Sequence, residues 1–209
     1  IDTVTDDESI AGHFLHLLHG KKPDELHRRA VDVSLILYAE HEFNASTFAA
    51  RVTAATLTDF YSAITSAIGT LRGPLHGGAN EAAMELIECY DSPAKARAGL
   101  LDKLARKEKI MGFGHRVYKN GDPRAKILSQ MSELLTKKVG QPELYQMSKI
   151  LDDTMQQQKG LLPNVDFYSA TVYYAMGIPI DIYTPIFAVS RVSGWCAHIL
   201  EQYSNNRIY

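Results

Sequence analysis

Apolar residues recur at helical spacing along almost the whole chain, and this pattern most constrains what the chain can fold into. Ile10, Phe14, Leu17 and Leu18, for example, stand at i, i+4, i+7 and i+8, which places them on one face of a helix. No convincing run of alternating apolar and polar residues predicts a strand. The sequence therefore predicts an all-α protein. Its helices are expected to start at about residues 10 and 23 and to span about 45–55, 60–71, 80–90, 92–107, 123–138, 144–158, 166–176 and 185–203.

The composition is that of an ordinary globular protein. Of 209 residues, 45% are hydrophobic and 22% are charged, and the formal net charge is −2. No basic surplus favours nucleic acid or an anionic membrane as a partner. Cys89 and Cys196 indicate no disulfide framework, so a cytoplasmic location is expected. No membrane-spanning run or signal peptide is visible, and the chain opens with Ile1 rather than methionine, so we expect part of a longer protein.

The stretch 111–124 is too rich in glycine and charge to be ordinary core. Two glycines leave backbone N–H groups open to close approach, and His115 follows the second of them directly. Asp122 and Pro123 have the pattern of an N-cap and a first helical residue, which puts Arg124 in the first turn, where an anion is favoured. We interpret this loop as a site for anionic chemistry; a surface loop with solvated charges is the alternative.

Two other histidines also lie at predicted helix junctions. His41 and His76 join His115 at positions where side chains reach pockets and helix ends shift pKa values. A carboxylate that could work with them is Asp166. Its neighbours Val165 and Phe167 make an apolar setting that disfavours the charged form. The alternative for Asp166 is a simple N-cap of the helix that follows.

No metal site is expected. His13, His16 and His19 lie three apart and share one helix face, which could bind a metal, but no carboxylate is expected at a suitable position beside them. A site built from the junction histidines and Asp166 is also disfavoured. The arginine and lysine side chains of those loops compete with a cation and favour an anionic ligand.

Four motifs together resemble the citrate synthase family, in its order and spacing and over essentially the whole chain. They are His76-Gly77-Gly78-Ala79-Asn80-Glu81; Gly112-Phe113-Gly114-His115-Arg116-Val117-Tyr118 with Asp122-Pro123-Arg124; Pro163-Asn164-Val165-Asp166-Phe167-Tyr168; and Thr184-Pro185-Ile186-Phe187 with Arg191 and Gly194-Trp195. Within the family, residues 38–48 and 62–80 look closest to bacterial 2-methylcitrate synthases and to citrate synthases that also accept propionyl-CoA.

The resemblance implies a two-domain, all-α fold with the active site in the cleft between the domains. The matching motifs imply a large domain of residues 1–76 and 172–209, which lacks an N-terminal part, and a small CoA-binding domain of residues 77–171. The family also implies a homodimer or a higher oligomer, with oxaloacetate and an acyl-CoA as its ligands and no nucleic-acid or membrane partner.

The resemblance further implies an enzyme and a reaction. An acyl-CoA is deprotonated beside its thioester, the enol attacks the ketone of oxaloacetate, and hydrolysis releases CoA. Asp166 is implied as the base, His76 as the donor to the thioester oxygen and His115 as the donor to the ketone oxygen. The implied oxaloacetate ligands are His41, Arg124 and Arg191.

Coenzyme A is implied as a co-substrate, with no permanently bound cofactor and no metal. The residues implied to contact it are Lys109, Ile110, Met111, Gly112, Phe113, Gly114, Lys119, Lys159 and Asn164. The match is weakest at Lys119, because many relatives have arginine there.

Two alternatives stay open at the level of sequence. One is a dedicated citrate synthase that uses acetyl-CoA only, because one methylene in an apolar pocket changes preference by only about 1–3 kcal/mol. The other is a non-catalytic module that binds acyl-CoA or a dicarboxylate.

Overall fold

The computed structural model describes residues 3–209, so the first two residues, with which the predicted large domain begins, lie outside the described residues. The helices are α1 (Ile10–His19), α2 (Glu25–Tyr38), α3 (Ala45–Ala55), α4 (Phe60–Leu71), α5 (Ala79–Glu88), α6 (Pro93–Ala105), α7 (Pro123–Lys138), α8 (Pro142–Lys159), α9 (Val165–Ala175) and α10 (Tyr183–Ser204). A short 3-10 helix, Ile180–Ile182, precedes α10.

The all-α class is confirmed for the described part of the chain, which contains no strand and only one isolated antiparallel bridge, between Phe113 and Pro163. Every helix expected from the periodicity is present. The second begins at Glu25 rather than Pro23, because Asp24 Oδ1 caps it by accepting the N–H of Leu26 at 2.9 Å. Within residues 3–209, no helix is long and apolar enough to cross a membrane.

Side-chain caps fix where the functional loops end and the helices begin. Asp122 caps α7 by accepting the N–H of Arg124, and Pro123 is the first helical residue, as the sequence predicts. Asn164 caps α9 in the same way by accepting the N–H of Asp166. Since a cap satisfies donors that the helix cannot, these two residues determine the position of the first turn of each helix.

The chain divides into two compact units. Among the described residues, unit 1 contains 3–34 and 79–183, and unit 2 contains 35–78 and 184–209. This division groups residues 3–34 and 172–183 with 79–171. The family resemblance instead groups them with 35–76. Compactness within this chain does not test the domains of longer relatives, so the domain boundaries implied by the resemblance remain a prediction.

Unit 1 is built around α9, which is buried along nearly its whole length. Helices α5 and α7 pack against α9, and α6 packs against α8. On α7, Leu128 and Leu135 are fully buried, and Ser132 Oγ lies 2.7 Å from Thr171 Oγ1 of α9. Asp166 lies in the first turn of this buried helix.

Unit 2 rests on the close packing of α3 and α4. Ala50 and Ala54 of α3 and Ala63 and Ala67 of α4 are fully buried, and such small side chains let two helices approach closely. Trp195 of α10 is also fully buried, which anchors that helix within the unit.

The buried face of α7 makes a stability prediction possible. We expect Leu128→Ala to lower the free energy of unfolding by about 2–5 kcal/mol, because Leu128 is fully buried and truncation leaves a cavity. Leu134→Ala on the same helix is the matched control, since that side chain is 56% exposed. Urea denaturation measures both; equal losses for the two variants would contradict the assignment of the buried face.

Candidate active site

Two loops that are far apart in sequence are joined by backbone hydrogen bonds in unit 1. Asn164 N–H donates to the carbonyl of Gly112 at 2.9 Å, and Gly114 N–H donates to the carbonyl of Leu162 at 2.8 Å. The side chain of Asn164 adds a third bond, from Nδ2 to the carbonyl of Gly114 at 3.0 Å. His115 directly follows the segment 112–114. Asp166 lies two positions after the end of the segment 162–164. The two motifs are therefore held together.

The glycines of this loop serve the fold in a way that the sequence did not reveal. Gly112 and Gly114 have φ angles of +85° and +76°, which favour glycine. A Cβ on Gly112 would meet Phe167 Cβ at 3.1 Å. The Cα of Gly112 therefore packs closely against α9 of the same unit, which accounts for a glycine at this position.

His115 has a defined tautomer in its neutral form. Its Nδ1 accepts the N–H of Val117 at 3.0 Å and that of Tyr118 at 3.2 Å. A ring nitrogen that accepts from backbone donors carries no proton, so the proton is on Nε2. The imidazole also lies against the Tyr118 ring, with centroids 4.6 Å apart. His115 can therefore act as a hydrogen-bond donor through Nε2.

Arg124 is held by the carboxylate of Asp122. Arg124 Nε donates to Oδ1 at 2.9 Å, and Nη2 donates to Oδ2 at 2.8 Å, which is a two-point contact. The guanidinium also lies over the Tyr118 ring, 5.7 Å from its centroid. These contacts fix the plane of the guanidinium, as recognition of a carboxylate requires.

Asp166 lies in the first turn of α9 and is 8% exposed. Its neighbours Val165 and Phe167 are buried, at 4% and 0% exposure. The alternative reading of Asp166 as an N-cap is wrong, because Asn164 is the cap and accepts the Asp166 N–H at 3.0 Å. Capping therefore does not account for the aspartate at this position.

Unit 2 holds His76 against Ser46. His76 Nε2 accepts the N–H of Ser46 at 3.3 Å and lies 2.8 Å from Ser46 Oγ, which in turn accepts from Trp195 Nε1 at 3.2 Å. The neutral ring therefore carries its proton on Nδ1. No local signal in the sequence connects Ser46 to a histidine 30 positions later.

Burial, assisted by the positive charge of Arg191, lowers the pKa of His76 from 6.5 to about 4. The imidazole is therefore neutral near pH 7.

Arg191 is a buried cation of the same unit. It is 2% exposed, donates from Nε to the carbonyl of Tyr38 at 2.6 Å and lies over the Phe187 ring, 4.8 Å from its centroid. A carbonyl and an aromatic face both stabilise a guanidinium that has lost water. His41 lies just before α3, and its carbonyl accepts from Asn44 Nδ2 at 3.1 Å. Arg191, His41 and His76 thus all belong to unit 2.

The candidate CoA residues are brought together only in part. A cavity of about 250 Å³ in unit 1 is lined by Gly114, His115, Tyr118, Lys119, Gly121, Asp122, Gly160, Leu161, Leu162 and Pro163. Among the nine candidates, only Gly114 and Lys119 line this cavity. Lys109, Lys119 and Lys159 are all exposed. Small-molecule sites usually measure about 300–1,000 Å³, so this cavity can hold only part of a ligand as large as coenzyme A.

The expectation that no carboxylate lies beside the histidines of α1 is wrong. A carboxylate does lie beside the histidine face of α1, since Asp7 Oδ2 is 2.6 Å from His16 Nδ1. Ligand atoms of Asp6, Asp7 and His16 lie within 4.8 Å of one another. Helical spacing alone does not predict this group, because the turn before α1 brings Asp7 back over the helix. Lys22 Nζ, 3.9 Å from Asp6, competes with a cation, so the absence of a metal stays our prediction.

Comparisons with known proteins identify a family. A family model described as "Citrate synthase, C-terminal domain" matches residues 1–209. The 2-methylcitrate synthase of Shewanella oneidensis is 60% identical over 208 residues, which is 100% of this chain and 56% of that protein. Citrate synthase 2 of Bacillus subtilis is 56% identical over 203 residues, which is 97% of this chain and 55% of that protein.

A solved structure is also similar. It is a ternary complex of carboxymethyl coenzyme A and oxaloacetate with the citrate synthase of Thermoplasma acidophilum. The TM-score is 0.92 at 40% identity, and the match covers 98% of this chain and 56% of that one. This chain therefore spans about half the length of the curated relatives that it matches.

The environment of His76 gives a prediction about pH. With a pKa of about 4 in the folded state and 6.5 when unfolded, His76 binds more protons in the unfolded chain between these values. Its contribution to stability is therefore complete above pH 6.5 and is lost as the pH falls toward 4. NMR titration of labelled histidine should show an imidazole signal with a midpoint near pH 4 that is missing in His76→Asn. A midpoint at or above 6.5 for that signal would contradict the burial argument.

Proposed function

The chain belongs to the citrate synthase family, and on this premise we propose that the protein condenses oxaloacetate with a short acyl-CoA to give 2-methylcitrate or citrate and free CoA. The observation that carries the proposal is the pair of fixed tautomers. His76 and His115 each accept backbone N–H groups on one ring nitrogen, and each therefore has the other nitrogen as a donor. Two neutral donors are what this condensation needs.

The proposed chemistry begins with a weak carbon acid. A base alone is insufficient to remove a proton beside a thioester, because the negative charge that develops on the thioester oxygen must be stabilised at the same time. We assign the base to Asp166 and the donor at the thioester oxygen to His76 through Nδ1. A neutral imidazole suits this role, since it can donate a hydrogen bond without being a strong acid.

The ketone of oxaloacetate is the electrophile. His115, donating through Nε2, polarises the ketone oxygen and makes its carbon easier to attack. Oxaloacetate is a dianion, and Arg124 and Arg191 are assigned to its carboxylates, because a guanidinium matches a carboxylate in two-point geometry. His41 is assigned as a further donor.

Coenzyme A is proposed as the co-substrate, with its adenine along residues 109–114. Lys119 and Lys159 are exposed cations suited to its phosphates, and Asn164 is proposed to contact the pantetheine arm. The amide of Asn164 already caps α9 and holds Gly114, so its proposed contact must coexist with that structural role. No metal and no permanently bound cofactor enters the proposal.

The complete protein is proposed to act as a homodimer in the cytoplasm. Because this chain spans about half the length of its relatives, the activity, substrates and assembly belong to the whole protein. A non-catalytic module that binds acyl-CoA or a dicarboxylate is the second candidate. It would bind both ligands without releasing free thiol, so a thiol assay separates the two.

The first functional prediction concerns the base. The full-length protein should release free thiol from propionyl-CoA or acetyl-CoA only when oxaloacetate is present. Asp166→Asn should lower kcat by about a hundredfold or more, because general bases contribute roughly 10²–10⁴-fold, while oxaloacetate still binds. Asp153→Asn on α8 is a control, since that carboxylate is 44% exposed and paired with Lys149. An unchanged kcat in Asp166→Asn would remove Asp166 from the mechanism.

The second functional prediction concerns the acyl group. We expect propionyl-CoA to be at least competitive with acetyl-CoA. A pocket that holds propionyl loses only about 0.8 kcal/mol of burial with acetyl, or roughly fourfold. A pocket shaped for acetyl must instead clash with the extra methyl, at about 1–3 kcal/mol. The measurement is the ratio of kcat/KM for the two thioesters at saturating oxaloacetate. A preference for acetyl-CoA above about a hundredfold would indicate a dedicated citrate synthase.

A further inference from the structure

Asp122 receives far more hydrogen bonds than a helix cap needs. Its side chain is fully buried, and its carboxylate accepts four donors. Oδ1 accepts the backbone N–H of Arg124 at 3.0 Å and Arg124 Nε at 2.9 Å. Oδ2 accepts Arg124 Nη2 at 2.8 Å and the backbone N–H of Val165 at 3.0 Å. Only the bond from the backbone N–H of Arg124 caps α7. The other three bonds hold the side chain of Arg124 and the backbone of Val165.

These three bonds connect Asp122 to two different parts of the candidate site. One pair holds the guanidinium of Arg124, which is assigned to oxaloacetate. The bond from Val165 holds the first residue of α9, directly before Asp166, while Asn164 holds the N–H of Asp166 itself. Asp122 is therefore in direct contact with an assigned substrate ligand and with the backbone beside the assigned base.

We infer that Asp122 is a positioning residue that couples the oxaloacetate ligand Arg124 to the placement of the base Asp166. The inference rests on the proposed function. Asp122 itself touches neither substrate in this scheme. It acts because one rigid carboxylate accepts from both partners, so a shift of either would break a buried hydrogen bond.

The negative charge of Asp122 is essential to this arrangement. Burial raises the pKa of its carboxyl, but the hydrogen bonds and charge of Arg124 outweigh that effect and hold the pKa below its usual value. An asparagine could still cap α7 through its oxygen. Its amide nitrogen, however, would face Arg124 Nη2 and the Val165 N–H, which are both donors. Asp122→Asn therefore removes the coupling with little change in shape.

The test is a pair of double-mutant cycles in the full-length protein. We expect Asp122→Asn to raise KM for oxaloacetate and to lower kcat, each by about tenfold. In an Asp166→Asn background, Asp122→Asn should cause no further loss of kcat. In an Arg124→Leu background, it should cause no further loss of oxaloacetate affinity, measured by calorimetry. If Asp122 had only a structural role, Asp122→Asn would lower kcat and oxaloacetate affinity in these backgrounds by the same factors as in the wild type.

Controls separate folding from positioning. Asp59→Asn changes another aspartate cap, at the start of α4, and should leave kcat and KM unchanged. If Asp122→Asn does not fold, Asp122→Ser keeps a capping oxygen and goes through the same cycles. Kinetics within twofold of wild type, or additive losses, would overturn the inference while the proposed function stands. A wild-type protein that binds both ligands but releases no thiol would refute the proposed function and this inference with it.

Discussion

The pairing of residues 112–114 with residues 162–164 is the constraint on which the site in unit 1 depends. In the described part of this helical protein, loops have no strands to satisfy their backbone groups, and buried N–H and C=O groups without partners are costly. The two loops satisfy each other, with Asn164 contributing both its backbone and its side chain. The same bonds fix where His115 and the first turn of α9 lie. The candidate residues His115 and Asp166 therefore lie on segments that are joined to each other by hydrogen bonds.

The two arginines assigned to oxaloacetate are held by different means, and this has electrostatic consequences. Arg124 forms a two-point pair with a buried carboxylate, so its orientation is fixed while its charge is largely balanced. Arg191 is held by the carbonyl of Tyr38 and the face of Phe187, and its positive charge lowers the pKa of His76. We therefore expect Arg124 mainly to orient a carboxylate of oxaloacetate. We expect Arg191 mainly to attract the dianion through its positive charge.

The roles proposed for His76 and His115 come from motif matching, which says nothing about which ring nitrogen carries the proton. The hydrogen bonds from Ser46, Val117 and Tyr118 assign that proton, and in both rings the remaining nitrogen is a donor. The activity proposed above is one of the complete protein, since this chain covers about half of its relatives.

The sequence by itself determined the helical class, nearly all helix positions and the cap at Asp122, because these follow from apolar spacing and from contacts within a few residues. The family motifs also predicted which side chains are candidates for chemistry. The tertiary structure alone revealed the support of His76 by Ser46, the bond from Val165 to Asp122 and the approach of Asp7 to His16. These pairs are 30, 43 and 9 positions apart. Their contact depends on how loops and helices pack, and a pattern of local spacing carries no information about that packing.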